Sequence, residues 1–165
     1  MPKLTQVKET KRGRYALFFD GEFAFSLDED TFAMAGLHTG DELEEWQIHD
    51  LQTKSDTRKA VDKAMDLLAL RDHAAGELYQ KLCRSFDPHS AAAAVAKMQE
   101  LNLLDDAGFA RRRAAELLRK RKSRRAILDD LHAKGIDRGA AAEAVEALFA
   151  QSEEDEEENP ELANA

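Results

Sequence analysis

Arg111, Arg112, Arg113, Arg119, Lys120, Arg121, Lys122, Arg124 and Arg125 place nine cations within fifteen residues, against a single acid, Glu116. Seven of the nine are arginine. A guanidinium is a planar fork that grips a carboxylate or a phosphate through two parallel hydrogen bonds, so the chemistry on offer is recognition of an anionic partner. Successive helical residues point about 100° apart, so some of Arg111, Arg112 and Arg113 must line the face opposite Phe109, Ala110, Ala114 and Leu117. The plainer reading of a charge run is a solvated helix face, but acids scarcely interleave with this one. No base-reading motif accompanies it, so contact with DNA would run through phosphates and be independent of sequence. We take Arg111, Arg112, Arg113, Arg119, Arg121, Arg124 and Arg125 as contact residues, with Arg12 and Arg14 as weaker candidates.

Other side chains offer less. The carboxylate pairs Asp105-Asp106 and Asp129-Asp130 have the composition of an acid–base site, but Asp105-Asp106 falls where a helix needs a cap. There is no glycine-rich phosphate loop and no nucleophile elbow. The lone Cys83 excludes an internal disulfide, fits a reducing compartment, and lacks a histidine partner in sequence. His38, His49, His73, His89 and His132 are scattered without zinc-ligand spacing. We expect no enzyme, no metal and no cofactor. Neither a signal peptide nor a membrane-spanning run is visible, so the expected location is the cytoplasm.

The net charge of −9 is unevenly spread. Residues 152–165 hold seven acids and no base, so removing their −7 leaves −2 for residues 1–151. That segment has almost nothing to bury and is expected to be disordered. We read it as a solubilising tail. A DNA mimic that folds back over the basic helix is the alternative.

Around these residues the chain divides into strand and helix. In "RYALFFDGEFAFSL", Asp20-Gly21 separates two aromatic-rich runs and suits a tight type I′ turn. A two-residue loop sets Phe18 against Phe23, Ala16 against Phe25 and Arg14 against Leu27, with the aromatics as core rather than a base-stacking platform. Tyr15 is the aromatic left open. "KLTQVKE" alternates and suits a third strand. Two short helices follow, the first capped by Asp28 or Asp30 and ended by Gly36. Leu43, Trp46 (or Gln47) and Leu51 mark the buried side of the second.

From residue 56 helices come in threes. Ala60, Val61, Ala64, Leu67 and Leu68, then Leu78 and Leu82, then Ala91, Ala94, Val95, Met98 and Leu101 are inward positions. The pattern returns. Leu67-Leu68 matches Leu117-Leu118, Phe86-Asp87 matches Ile136-Asp137, and Val95 and Met98 match Val145 and Leu148, each 50 residues apart. Leu82 aligns with Leu131 one residue out of step. This is an internal repeat of a three-helix unit, and such repeats present long surfaces to partners.

At this point a family resemblance is carried by "LLALRDHAAGELYQKL", "LNLLDDAGFA" and "ILDDLHAKGI" in order, with "FFDGEFAFSLDEDTF" and "GLHTGDEL" before them. Over roughly residues 3–150 the chain resembles the RecX family, bacterial regulators of the RecA recombinase. The resemblance implies a modular helical protein that lies in the groove of the RecA–DNA filament. It implies restraint of the filament's ATP hydrolysis, strand exchange and coprotease activity. The family usually has three repeats. Here two are visible, and the acidic segment stands where a third would begin. The family often has a capping serine where this chain has Ala74, and we expect Asp72 to stand in. Gly76 is expected to weaken the same helix.

The expected fold is mainly α, with two tandem three-helix repeats preceded by a small β-hairpin module. The expected divisions are a hairpin module over 1–54, repeats over 55–104 and 105–151, and the tail over 152–165. The expected protein is a monomer that binds the RecA filament, with possible contact to DNA phosphates and none to membrane. The alternative is a sequence-independent DNA-binding protein that acts without a recombinase.

Overall fold

The computed structural model describes residues 1–158, and the side chains of residues 1–154. Among the described residues the order is β1 (Leu4–Glu9), β2 (Tyr15–Phe19), β3 (Glu22–Leu27), α1 (Glu29–Ala35), α2 (Glu45–Leu70), α3 (Ala75–Leu82), α4 (Pro88–Glu100), α5 (Asp106–Arg119), α6 (Arg124–Ala133) and α7 (Arg138–Glu158). The chain therefore has the expected mainly helical fold behind a small antiparallel sheet. It divides into two compact units: residues 1–63 with 86–94, and the remainder of the described chain.

The first unit is built on a three-stranded sheet of order β1-β2-β3. Asp20 and Gly21 both take positive φ, 52° and 84°, as the tight turn requires. Phe18 pairs with Phe23 as the turn dictates, but the register then shifts, and Leu17 pairs with Phe25 and Tyr15 with Leu27. The expected pairs of Ala16 with Phe25 and Arg14 with Leu27 are therefore each off by one. A β-bulge causes this: one extra residue on β3 reverses which face later residues occupy. Phe25 and Leu27 turn inward with Leu4, Leu17 and Phe19, while Phe23 is 60% exposed and meets Phe18 edge-on at 5.7 Å. The aromatics thus do not all form the core. Tyr15 is occupied within the unit, stacked on Phe32 at 4.3 Å.

Asp28 caps α1, accepting from the Thr31 N–H at 3.1 Å, and Gly36 ends it in the left-handed region. Leu43 and Leu51 join the sheet's core as expected. Trp46 does not. It is 65% exposed, with its indole N–H donating to the Glu44 carboxylate. The expected break near residue 55 is also absent, and α2 runs unbroken for 26 residues. Ser55 faces the sheet there: its hydroxyl donates to the Ser26 carbonyl at 2.6 Å and accepts from Arg14 Nη2 at 3.2 Å.

The second unit holds α3 and α5–α7. Phe109, Ala110, Ala114 and Leu117 of α5, Ile127 and Leu131 of α6, and Ala141, Ala144 and Val145 of α7 form one core with Ala74 and Ile136. These are the inward positions that helical spacing selects. Caps close the helices: Asp105 accepts from Gly108 N–H at 3.0 Å, Ser123 from Ala126 N–H at 3.1 Å, and Asp137 from Ala140 N–H at 2.7 Å. Leu101, expected inward after α4, is 42% exposed. α7 continues to Glu158, so residues 152–158, expected to lack structure, are helical. Residues 159–165 of that expectation lie outside the described residues.

Candidate anion-binding face

The cations of 111–125 fall on α5 from its middle to its C-terminus, the turn after it, and the first turn of α6. Their surroundings divide them. Arg113 points at α6, where its Nε and Nη2 meet both oxygens of Asp130 at 2.9 and 3.1 Å, and its Nη1 reaches Glu116 at 3.2 Å. Arg113 and Asp130 side chains are 25% and 26% exposed, so the pair is screened less than a surface bridge. The Arg113 hydrogen bond holds the Asp130 carboxyl below its ordinary range, and Asp130 holds the Arg113 proton more tightly in turn. Arg113 is therefore a buckle between helices. Arg112 reaches Asp72 at 3.2 Å, with both side chains well exposed. Arg124 lies over the Phe149 ring at 4.9 Å, a cation–π contact with α7.

Arg111, Arg119, Arg121 and Arg125 are exposed, and Lys122 with them. Among the described residues none of the five has a carboxylate within ion-pair distance. Lys120 differs, pairing with Glu116 at 3.4 Å. Two of the five sit where local physics disfavours them. Arg121 occupies the left-handed region at φ 61°, a place for glycine at a helix C-terminus, at a cost of about 1 kcal/mol. Arg124 and Arg125 begin α6, whose first turn has no acid. Cations at a helix N-terminus oppose its dipole by about 0.3–1 kcal/mol each. Arg12 and Arg14 belong to the other unit. Arg12 is exposed, while Arg14 is held by Ser26 and Ser55 at 3.0–3.2 Å.

Beside the buckle, Arg71, Asp72, Phe109, Arg113, Glu116 and Lys134 line a depression of about 330 Å³. Its charges are matched: Arg71 binds Glu77 with two hydrogen bonds, at 3.0 and 3.1 Å, and Lys134 lies 3.9 Å from Glu77. Burial acts to raise the Glu77 carboxyl, but the hydrogen bonds and charge of Arg71, with Lys134, hold it below its ordinary value. His73 is buried between the Arg71 carbonyl and Lys81 Nζ, both at 2.9 Å. Burial depresses its pKa, so the neutral ring donates from Nδ1 to the carbonyl and accepts at Nε2. Among the described residues no three His, Cys, Asp or Glu side chains gather as metal ligands. Among the described residues no helix is long and apolar enough to cross a membrane.

Two features escaped the sequence. Asp72 does not cap α3. The Ala75 N–H is instead taken by Asp106 at 2.8 Å, while Asp105 caps α5 itself. Gly76 is more than a weak point: a Cβ there would lie 2.8 Å from the Cα of Gly135. Side chains this far apart in sequence give no local signal of meeting.

Fold and face together define a mainly helical protein with a small sheet and a cationic surface that its own described carboxylates leave largely unneutralised. Known proteins narrow this class. No family model matches the sequence. "Regulatory protein RecX" of Caldanaerobacter subterraneus subsp. tengcongensis is 27% identical over 149 residues, covering 90% of this chain and 76% of the relative. The protein of the same name from Lactobacillus johnsonii is 34% identical, covering 82% of this chain and 51% of its own length. In Lactobacillus delbrueckii subsp. bulgaricus the figures are 36%, 83% and 52%. A solved structure, "Crystal structure of regulatory protein RecX", superposes with a TM-score of 0.65 at 24% identity, over 90% of this chain and 74% of that one, and shares the fold. Over most of its length the chain is similar to regulatory proteins named RecX. It spans about three-quarters of the first of these relatives and about half of the other two.

Proposed function

We propose that this protein binds the RecA–DNA filament and restrains it, lowering ATP hydrolysis and strand exchange. The observation that carries the reading is the set of exposed cations Arg111, Arg119, Arg121, Lys122 and Arg125, which have no carboxylate partner among the described residues. Strain and dipole cost at the turn support it. A chain that places arginine where glycine or an acid would be more stable has a use for the charge there. The domain division proposed from the sequence, a hairpin module and two three-helix repeats, puts this face on the second repeat. Of the contact set, Arg111, Arg119, Arg121 and Arg125 bear on the partner, with Arg112 and Arg124 beside them. Arg113 and Arg14 serve the fold. The action is steric and electrostatic: a body held against neighbouring protomers resists the movements that accompany nucleotide turnover. The protein acts as a regulator, without chemistry of its own.

The test is ATP hydrolysis by the cognate RecA on single-stranded DNA, with the protein added below stoichiometry. Inhibition is expected, and Arg119→Glu with Arg125→Glu should weaken it at least about tenfold, as loss of two charge-assisted contacts implies. Full inhibition by that variant would remove the face from the mechanism. Absence of inhibition, with steeply salt-sensitive binding to bare DNA, would favour a general DNA-binding protein instead.

A further inference from the structure

Helix α7 meets the start of α6 and then continues into the acidic segment. Arg124, the first residue of α6, lies over Phe149. That contact places the far part of α7 beside the start of α6, and so near the turn before it that bears Arg121 and Lys122, with Arg119 at the end of α5 just ahead. From Phe149 the helix continues to Glu158, nine residues or about 13 Å further. Glu153 is one turn beyond Phe149, on the same side of the helix. Acids occupy positions 153–158 without a break, and Glu161 follows. No ion pair joins Glu153 or Glu154 to the face among the described residues, and both are exposed. Glu153 and Glu154 thus follow, on the same helix, the residue that Arg124 covers.

We propose that the acidic segment is a built-in competitor for the cationic face: it occupies Arg119, Arg121, Lys122 and Arg125 weakly, and a polyanion must displace it to bind. The inference rests on the reading of that face as a polyanion site. Its physics is effective concentration. A segment tethered this close stands at millimolar concentration or above, so even a weak contact shields the face from weakly charged ligands. A partner with a dense and ordered array of charge prevails. The segment therefore sets a threshold of charge density and does not abolish binding.

Two measurements on the full-length chain test this. The first needs no ligand. A zero-length carbodiimide should join Lys120 or Lys122 to acids of residues 153–161 at low salt, as mapped by mass spectrometry, and the links should vanish at high salt. The second compares the chain with a variant carrying Glu153→Gln, Glu154→Gln, Asp155→Asn, Glu156→Gln, Glu157→Gln and Glu158→Gln, its helicity checked by circular dichroism. The variant should bind a fluorescent oligothymidylate about five- to tenfold more tightly at low salt, with the gap closing as salt rises. If no links form and the two proteins bind alike, the segment is only a solubilising tail and the inference falls, while the face keeps its role. If links form but neither protein binds the oligonucleotide, the polyanion reading of the face falls, and the competition with it.

Discussion

A methyl group on Gly76 would stand 2.8 Å from the Cα and 2.9 Å from the carbonyl oxygen of Gly135, and one on Gly135 would stand 2.6 Å from the Cα of Gly76. Both neighbours are backbone, which cannot swing aside as a long side chain can. Alanine in a helix interior is ordinarily about 1 kcal/mol better than glycine. Here the sign should reverse: Gly76→Ala should lower stability by about 1–3 kcal/mol, the usual cost of overpacking. Denaturant midpoints would check it, and a stabilised variant would show that the two backbones have room to part. The sequence displays Gly76 as a flaw because propensity is local and the reason for this residue is not. Arg113 has the same history. By type and place it belongs with the other arginines of the run, but Asp130, seventeen residues on and in the next helix, claims it. Trp46 errs the other way, for its helical position suits burial while its indole N–H is satisfied by Glu44 on the outside.

At the scale of elements, caps and inward faces were legible and joints were not. Asp28, Ser123 and Asp137 cap as their types indicate, because a cap is a contact over three residues. The bulge in β3 was hidden, since it follows from which faces the sheet must bury and not from the turn. The unbroken α2 was hidden by Ser55, a polar residue at a core position, which interrupts the apolar spacing between Leu51 and Ala60. The α3 cap is the instructive case. Ala74 offers no side-chain acceptor, and Asp106, at the start of α5, supplies one to Ala75. Asp106→Ala should therefore cost about 1 kcal/mol, while Asp106→Asn, which keeps an acceptor, should cost less. Ala74→Ser placed on top of Asp106→Ala should recover part of the loss by restoring a local cap. Thermal or chemical unfolding of the four proteins decides it. If Asp106→Ala proves neutral, the two helices are not joined through this contact.

At the scale of the whole molecule the charge imbalance is legible in composition alone, and the structure adds that the helix whose Phe149 lies under Arg124 continues into the acids. The consequence is a chain of net −9 whose proposed binding face is positive. What an approaching polyanion feels then depends on distance. At about 0.01 M salt the screening length is about 30 Å, comparable with a small protein, and the net negative charge repels. At about 0.1 M it shrinks to about 10 Å, and the cations of α5 and α6 are felt with much less of the net repulsion. At higher salt even those contacts weaken, because the counterions released on binding are worth less. The association rate with an oligothymidylate should therefore rise and then fall as salt increases, with a maximum near 0.1 M. An ordinary basic nucleic-acid-binding protein only falls. Neutralising the six acids of 153–158 reduces the net charge from −9 to −3, so the maximum should move to lower salt or vanish. Stopped-flow fluorescence over this range provides the reading. A rate that falls steadily from the lowest salt, in both proteins alike, would mean that the face is recognised at contact only and that the acidic segment does not shape the approach.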